Sequence, residues 1–324
     1  MIERINNFQL VFRYHAIIEG LQGDPHPRLL IISRSKEAAA RQGRKLGIFP
    51  SSFNPITKGH MAVLQRAAEI KAFKEILLVL DTQAMDKEIL GATLVDRLLM
   101  VHGLFKDYPN FSVGVSNRGL FLTKVELLKG MYPRETDITF IVGYDTMKRV
   151  FDPKYYEDRE GALDQLFGSC RFMVANRENQ GKEALQQLMA SGANRRFKGK
   201  VHFFEIPNRL AHISSSHVRQ RVMEGKSFAR LVPPEIGECI KEVKLYKMDR
   251  KVGPSGQRIN LYDLRTQVLN RLYGLYPEGK VEIDIGQIVD SVVEGTRSGQ
   301  ALEALLDSIP DRVAIPKVGK SRRR

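Results

Sequence analysis

Between residues 45 and 206, apolar runs of strand length alternate with longer stretches of helical periodicity, and few folds accept that order. The strand-length runs are Lys45–Phe49, Ile76–Leu80, Phe111–Val115, Ile138–Val142, Arg171–Ala175 and Val201–Ile206. Helical stretches separate most of them, among them Leu94–Phe105 and Thr123–Lys129. Strands joined through helices lie parallel, because a hairpin cannot connect parallel neighbours. The pattern therefore predicts an α/β fold with a Rossmann-like, doubly wound parallel sheet.

Three regions follow. Residues 1–45 form an N-terminal extension. It has a helical pattern through Phe8, Val11, Phe12, Ala16, Ile17 and Ile18 that stops at Gly20, then a Gly-Asp-Pro-His-Pro loop. A short strand, Leu29–Ile32, and a polar helix through Ala38, Ala39 and Ala40 complete it. Residues 46–248 carry the alternation. Residues 249–324 open on a polar, Gly- and Pro-bearing linker at 249–256 and continue as helices over Leu261–Leu272, Ile285–Val293 and Gln300–Ile309.

Composition narrows the class. A chain of 324 residues with 43% hydrophobic and 27% charged residues is ordinary for a soluble globular protein. No apolar run is long enough to cross a bilayer, and Met1-Ile2-Glu3-Arg4 is no secretory signal, so a cytoplasmic location is expected. Cys170 and Cys239 stand apart and read as small buried hydrophobes. The net charge of +14 favours anionic partners. Part of it sits in a solvated basic tail at Lys317, Lys320 and Arg322–Arg324, and no aromatic-and-basic RNA-binding signature accompanies it. A nucleic-acid partner is therefore not expected, and a homo-oligomer is left open. His212 and His217 are five apart, off the spacing of a helical metal pair.

Two segments carry the chemistry. Gly47–His60 reads as a buried strand, a tight turn and the first turn of a helix that continues through Met61, Val63 and Leu64. Such a junction aims backbone N–H groups and the positive end of a helix dipole at one spot, which suits an anion. Thr57 and His60 are three apart and share a face. Phe53-Asn54-Pro55 shapes the turn. The second segment, Ile213–Arg219, places three serines at the start of a helix ending at Gly225. Any one serine is explained by helix capping. The whole run, with Arg219 able to offer a charge-assisted fork, is a second phosphate site.

Thr57-Lys58-Gly59-His60 and Ile213–Arg219 together resemble the two signatures of nucleotidyltransferases that carry H/T-x-G-H and I-S-S-T/S-x-x-R motifs. Intervening segments are similar to the adenylyltransferases that make NAD or its deamido form. These are Thr123–Leu128 with Tyr132-Pro133, the strand Phe140–Val142 ending in Gly143-Tyr144-Asp145, Arg171–Arg177, and Leu231-Val232-Pro233 with Ile240 and Leu245-Tyr246. The resemblance covers residues 46–247. Thr57 stands where many members have His, and phosphopantetheine adenylyltransferases share that form, so this position does not identify the acceptor.

The resemblance implies direct attack of an acceptor 5′-phosphate on the α-phosphorus of ATP, with Mg²⁺ bridging phosphate oxygens and needing no protein cage. It assigns His60, Thr57 and Arg219 to catalysis. Ser51, Ser52, Phe53, Lys58, Gly59, Ile213, Ser214, Ser215 and Ser216 fall to ATP and its phosphates. Gly143, Asp145, Thr123, Lys87 and Arg177 fall to ribose and the mononucleotide. Asp145 equally reads as a helix cap, Lys87 as a solvated loop lysine, and Arg177 as the partner of a surface carboxylate. Amide and acid forms of the pyridine stay open. So do the same chemistry on phosphopantetheine or a polyol phosphate, and a non-catalytic nucleotide-binding regulatory protein.

Overall fold

A computed structural model describes residues 5–36, 45–82, 91–177, 181–248 and 258–312. Helix α1 (Phe8–Gly23) leads to strand β1 (Leu29–Ser33). The alternation then runs β2 (Lys45–Pro50), α2 (Lys58–Lys71), β3 (Glu75–Asp81), α3 (Leu94–Phe105), β4 (Phe111–Ser116), α4 (Phe121–Met131) and β5 (Asp137–Gly143). It continues through α5 (Tyr144–Val150), α6 (Arg159–Ser169), β6 (Arg171–Ala175), α7 (Lys182–Ala190), β7 (Val201–Phe204), α8 (Asn208–Ala211), α9 (Ser215–Met223) and α10 (Pro234–Glu242). Four helices follow: α11 (Leu261–Leu275), α12 (Ile285–Arg297), α13 (Leu302–Asp307) and α14 (Ile309–Arg312).

The sheet has seven strands in the order β1-β4-β3-β2-β5-β6-β7. β2 to β7 are parallel, as the alternation requires, and β1 adds antiparallel to β4 at the edge. Successive strands step one way from β2 to β3 and β4, then the other way from β5 to β6 and β7. The order reverses between β2 and β5, where a parallel sheet opens a crevice at its carboxyl edge. Along β3 the side chains of Ile76, Leu78 and Leu80 enter one buried cluster and those of Leu77 and Val79 the other. Both faces of the sheet are thus covered.

Most boundaries move by a few residues, the stretch read as one helix over Gln300–Ile309 is two, α13 and α14, and two of the differences have a visible cause. α1 passes Gly20 and ends before Pro25, because Leu21 is buried and its packing outweighs the roughly 1 kcal/mol that glycine costs a helix. β7 stops at Phe204 rather than Ile206. There the Asn176 side chain replaces the ladder, accepting the Ile206 N–H at 2.9 Å and donating to its carbonyl at 3.2 Å. The polar helix at Ala38–Ala40, the linker at 249–256 and the basic tail lie outside the described residues.

The segment around Asn6–Phe8 meets the helices after residue 258 on one face of the sheet. The Phe8 N–H donates to the Ile283 carbonyl at 2.9 Å, and the Ile285 N–H donates to the Asn6 carbonyl at 2.9 Å. Phe8, Phe12, Tyr273 and Tyr276 form an aromatic cluster between α1 and α11. Beneath it Arg265 of α11 reaches Asp96 of α3 with Nη1 at 3.0 Å from both carboxylate oxygens, and the two side chains are 2% and 1% exposed. The Tyr262 hydroxyl donates to the same carboxylate at 2.6 Å and accepts the Thr93 N–H at 2.6 Å.

Candidate active site

A cleft of about 510 Å³ opens at the carboxyl edge between β2 and β5. Its floor is the end of β2, and the turn 51–57 forms one wall. Phe53 adopts a left-handed φ of 44° and is fully buried, so it shapes the turn without lining the cleft. Four groups from elsewhere hold that turn. Arg97 donates to the Ser52 carbonyl at 2.9 Å, and Arg219 to the Asn54 carbonyl at 2.7 Å. Ser215 donates to the Pro55 carbonyl at 2.8 Å, and the Tyr246 hydroxyl to Asn54 Oδ1 at 2.6 Å.

Thr57 caps α2 in a box whose returning side chain is His60. The Thr57 N–H donates to His60 Nδ1 at 3.0 Å, and the Thr57 hydroxyl lies 2.9 Å from the same nitrogen. A backbone N–H only donates, so Nδ1 is unprotonated and the neutral ring carries its proton on Nε2. That atom faces Ser51 Oγ at 3.4 Å on the cleft side. Burial, with the charge of Arg177 adding to it, lowers the imidazole pKa to about 4. Near neutral pH, His60 is a fixed, neutral N–H donor.

The backbone row anticipated at the start of α2 is largely spent inside the protein. The Thr57 N–H goes to His60, the Lys58 N–H to the Leu231 carbonyl at 2.9 Å, and the His60 N–H to Thr57 Oγ1 at 3.4 Å. Gly59 lines the cleft, and among the described residues its N–H is given no acceptor. A Cβ at Gly59 would stand 2.9 Å from the Leu210 carbonyl oxygen and 3.0 Å from that of Ile213. Gly59→Ala is therefore expected to push the two motifs apart and lower stability by about 1–3 kcal/mol, read as a fall in the thermal midpoint.

Beside that turn, Ser214 caps α9 by accepting the His217 N–H at 3.1 Å. Ser215 is tied to Pro55, and Ser216 Oγ accepts from Arg219 Nη2 at 3.1 Å. The serine hydroxyls thus assemble the site, while the first N–H groups of α9 remain for an anion. Arg177 completes this wall, donating to the Ile213 carbonyl at 3.2 Å.

Of the residues singled out from the sequence, Ser51, Ser52, Thr57, Gly59, His60, Gly143, Asp145, Arg177, Ser214, Ser215, Ser216 and Arg219 line this one cleft. Lys58, Ile213 and Thr123 do not. Lys58 and Ile213 act through their backbones, and the turn before Thr123 contributes Gly119, Leu120 and Phe121 instead. Lys87 lies outside the described residues. The sequence reading passed over Asp81, Asn176, Arg149, Tyr155 and Tyr156, which also line the cleft. Asp81 had a readable signal as the polar residue closing β3, since strand ends frame such a crevice. Its partner Lys124, fully buried, looked like any lysine on a helix.

The model of the cytidylyltransferase-like family matches residues 48–221, more than half of the chain and both walls of the cleft. The chain belongs to that family. As a cytidylyltransferase-like protein it is a nucleotidyltransferase, and the match begins within β2 and ends within α9. It is 25% identical over 217 residues to a putative nicotinamide mononucleotide adenylyltransferase of Schizosaccharomyces pombe, covering 62% of this chain and 85% of that protein. It is 28% identical over 223 residues to a probable nicotinate-nucleotide adenylyltransferase of Citrifermentans bemidjiense, covering 62% of this chain and 98% of that one. Among solved structures, the Plasmodium falciparum nicotinic acid mononucleotide adenylyltransferase complexed with NaAD aligns at 17% identity with a TM-score of 0.49. That alignment covers 63% of this chain and 97% of the other. Among the described residues no helix is long and apolar enough to cross a membrane.

Proposed function

We propose that the protein transfers the adenylyl group of ATP to the 5′-phosphate of nicotinamide or nicotinate mononucleotide, releasing pyrophosphate. One observation carries this reading: the His60 Nε2–H and the α9 N-terminus with Arg219 line one cleft side by side at the reversal of strand order. The relatives' names supply the acceptor. An oxygen of the acceptor phosphate forms a bond to the α-phosphorus as the bond to the bridging oxygen of the β-phosphate breaks. No enzyme nucleophile is required, so the protein's task is placement and charge. His60 donates to a non-bridging oxygen of the transferring group. The N–H groups of Ser215 and Ser216, with Arg219 and Arg177, take the charge that accumulates on the leaving pyrophosphate.

A dinucleotide product straddles the reversal point of a doubly wound sheet, one nucleotide on each half. The phosphate clamp from α9 and Arg177 belongs to the β6–β7 half, so ATP lies there, with the Asp145 carboxylate in the same cleft for ribose hydroxyls. The β3–β4 half, with the turn 119–121, is left for the acceptor. Mg²⁺ enters with ATP. Among the described residues no cluster of three or more acidic, His or Cys side chains forms a cage, and the donors facing the cleft suit an ion held by phosphates and water. When bound, it supplies charge neutralisation on the triphosphate. We also place the protein in the cytoplasm, where its two buried free thiols fit a reducing medium.

The test is pyrophosphate release by purified protein with ATP and Mg²⁺, offered nicotinamide mononucleotide, nicotinate mononucleotide or phosphopantetheine in turn. Turnover with at least one pyridine mononucleotide is expected. Turnover with phosphopantetheine alone would overturn the acceptor, and no turnover with any would overturn the reaction.

A further inference from the structure

Resting on the proposed reaction, one carboxylate in the acceptor half has a construction that the phosphate chemistry does not explain. Asp81 closes β3 beside Ser116 of β4, and its side chain is 25% exposed on the cleft wall. One oxygen, Oδ1, stands 2.8 Å from Lys124 Nζ. Lys124 is itself fully buried in the first turns of α4, and the same ammonium donates to the carbonyls of Arg118 and Gly119 at 2.7 and 2.9 Å. The ammonium is thus held by two carbonyl hydrogen bonds and one ion pair.

Burying an ammonium is costly unless every proton finds an acceptor, and a helix lysine with no task would stay in water. Here it does two things. It pins the turn whose Gly119, Leu120 and Phe121 line the acceptor half, and it fixes the orientation of Asp81 through one oxygen. Asp81 also lines the cleft, and among the described residues its second oxygen is given no hydrogen bond. A triphosphate would be repelled by a carboxylate, so this group does not serve ATP's phosphates. A carboxylate oxygen held in place only accepts hydrogen bonds, and the acceptor mononucleotide offers donors in its ribose hydroxyls and, in the amide form, its carboxamide. Burial raises the Asp81 carboxyl despite the opposing charges of Lys124 and Arg97, in keeping with a group partly withdrawn from water.

We propose that Asp81 is a specificity-determining residue for the acceptor, taking a hydrogen bond from a ribose hydroxyl or carboxamide of the mononucleotide, and that Lys124 is the residue that positions it.

The experiment compares wild-type protein and Asp81→Asn with nicotinamide mononucleotide, its 2′,3′-dideoxyribose analogue and nicotinate mononucleotide, measuring KM for each acceptor and for ATP. Asn can still accept from Lys124 while turning its N–H₂ toward the cleft. The expected result is an acceptor KM raised tenfold or more, with the ATP KM within twofold and the thermal midpoint nearly unchanged. Wild-type protein should lose about tenfold against the dideoxy analogue if the donor is ribose, or against nicotinate mononucleotide if it is the carboxamide. That preference should collapse in the variant. An unchanged acceptor KM in Asp81→Asn, or an equal rise for ATP, would overturn the proposal. Should the variant fail to fold, wild-type KM values equal for all three acceptors overturn it alone. A wild type without turnover on either natural mononucleotide removes the proposed reaction itself, a result separate from loss of selectivity.

Discussion

His60→Ala is expected to cut the rate of pyrophosphate release by about 10²–10³ with the fold retained, the usual cost of deleting one preorganised donor to a transition-state oxygen. The ring is held by two contacts on Nδ1, so its Nε2–H is aimed before substrate arrives. Losing the ring also strips the Thr57 N–H of its acceptor, at a cost of about 1 kcal/mol in stability. The pH dependence has a definite sign. Burial lowers the imidazole from 6.5 in the unfolded chain to about 4 in the folded one. The unfolded state binds the proton first as pH falls, so stability drops between about 6.5 and about 4, whereas above 6.5 the ring is neutral in both states and contributes no slope. Denaturant midpoints of wild type and His60→Ala measured across that window should converge at the acid end. Above pH 5 the rate profile should show no limb belonging to His60.

Arg265→Ala is expected to lower stability by about 3–5 kcal/mol, read as a denaturant midpoint or a fall of several degrees in thermal unfolding. The magnitude follows from the orphan it creates: Asp96 is 1% exposed, and loss of its bidentate partner leaves a buried carboxylate with only Tyr262 and Thr93 hydroxyls beside it. Water cannot enter without opening the contact between α3 and α11. Arg265 also touches Asn6 Oδ1 (3.3 Å) and the Ile5 carbonyl (3.4 Å), so the segment before α1 and helix α11 should loosen together. A change of less than about 1 kcal/mol would show that the pair is replaceable by solvent.

Periodicity exposed the parallel strands because each is a short apolar run bounded by polar turns, and the two phosphate motifs announced themselves through residue types at helix starts. What stayed hidden depends on distance along the chain. Nothing near Lys124 says that its ammonium is buried, since the charge that balances it is a carboxylate 43 positions away. Nor does the serine run reveal that Ser215 spends its hydroxyl on Pro55 rather than on phosphate. The helices after residue 258 were visible as amphipathic stretches. Their partner was not, because an apolar stripe says that something covers it and not what.

Consider finally the hydrogen bonds that run from Arg265 and Tyr262 to the Asp96 carboxylate, from the Thr93 N–H to the Tyr262 hydroxyl, and from the adjoining Ala92 N–H to Asn54 Oδ1 at 3.2 Å. Tyr246 meets the same Asn54 oxygen. These tyrosines and this arginine lie beyond residue 221, where the family match ends. Anyone interpreting a natural variant of this protein by its distance from the motifs would score substitutions at 246, 262 or 265 as harmless. Their first symptom should instead be a poorer grip on nucleotide.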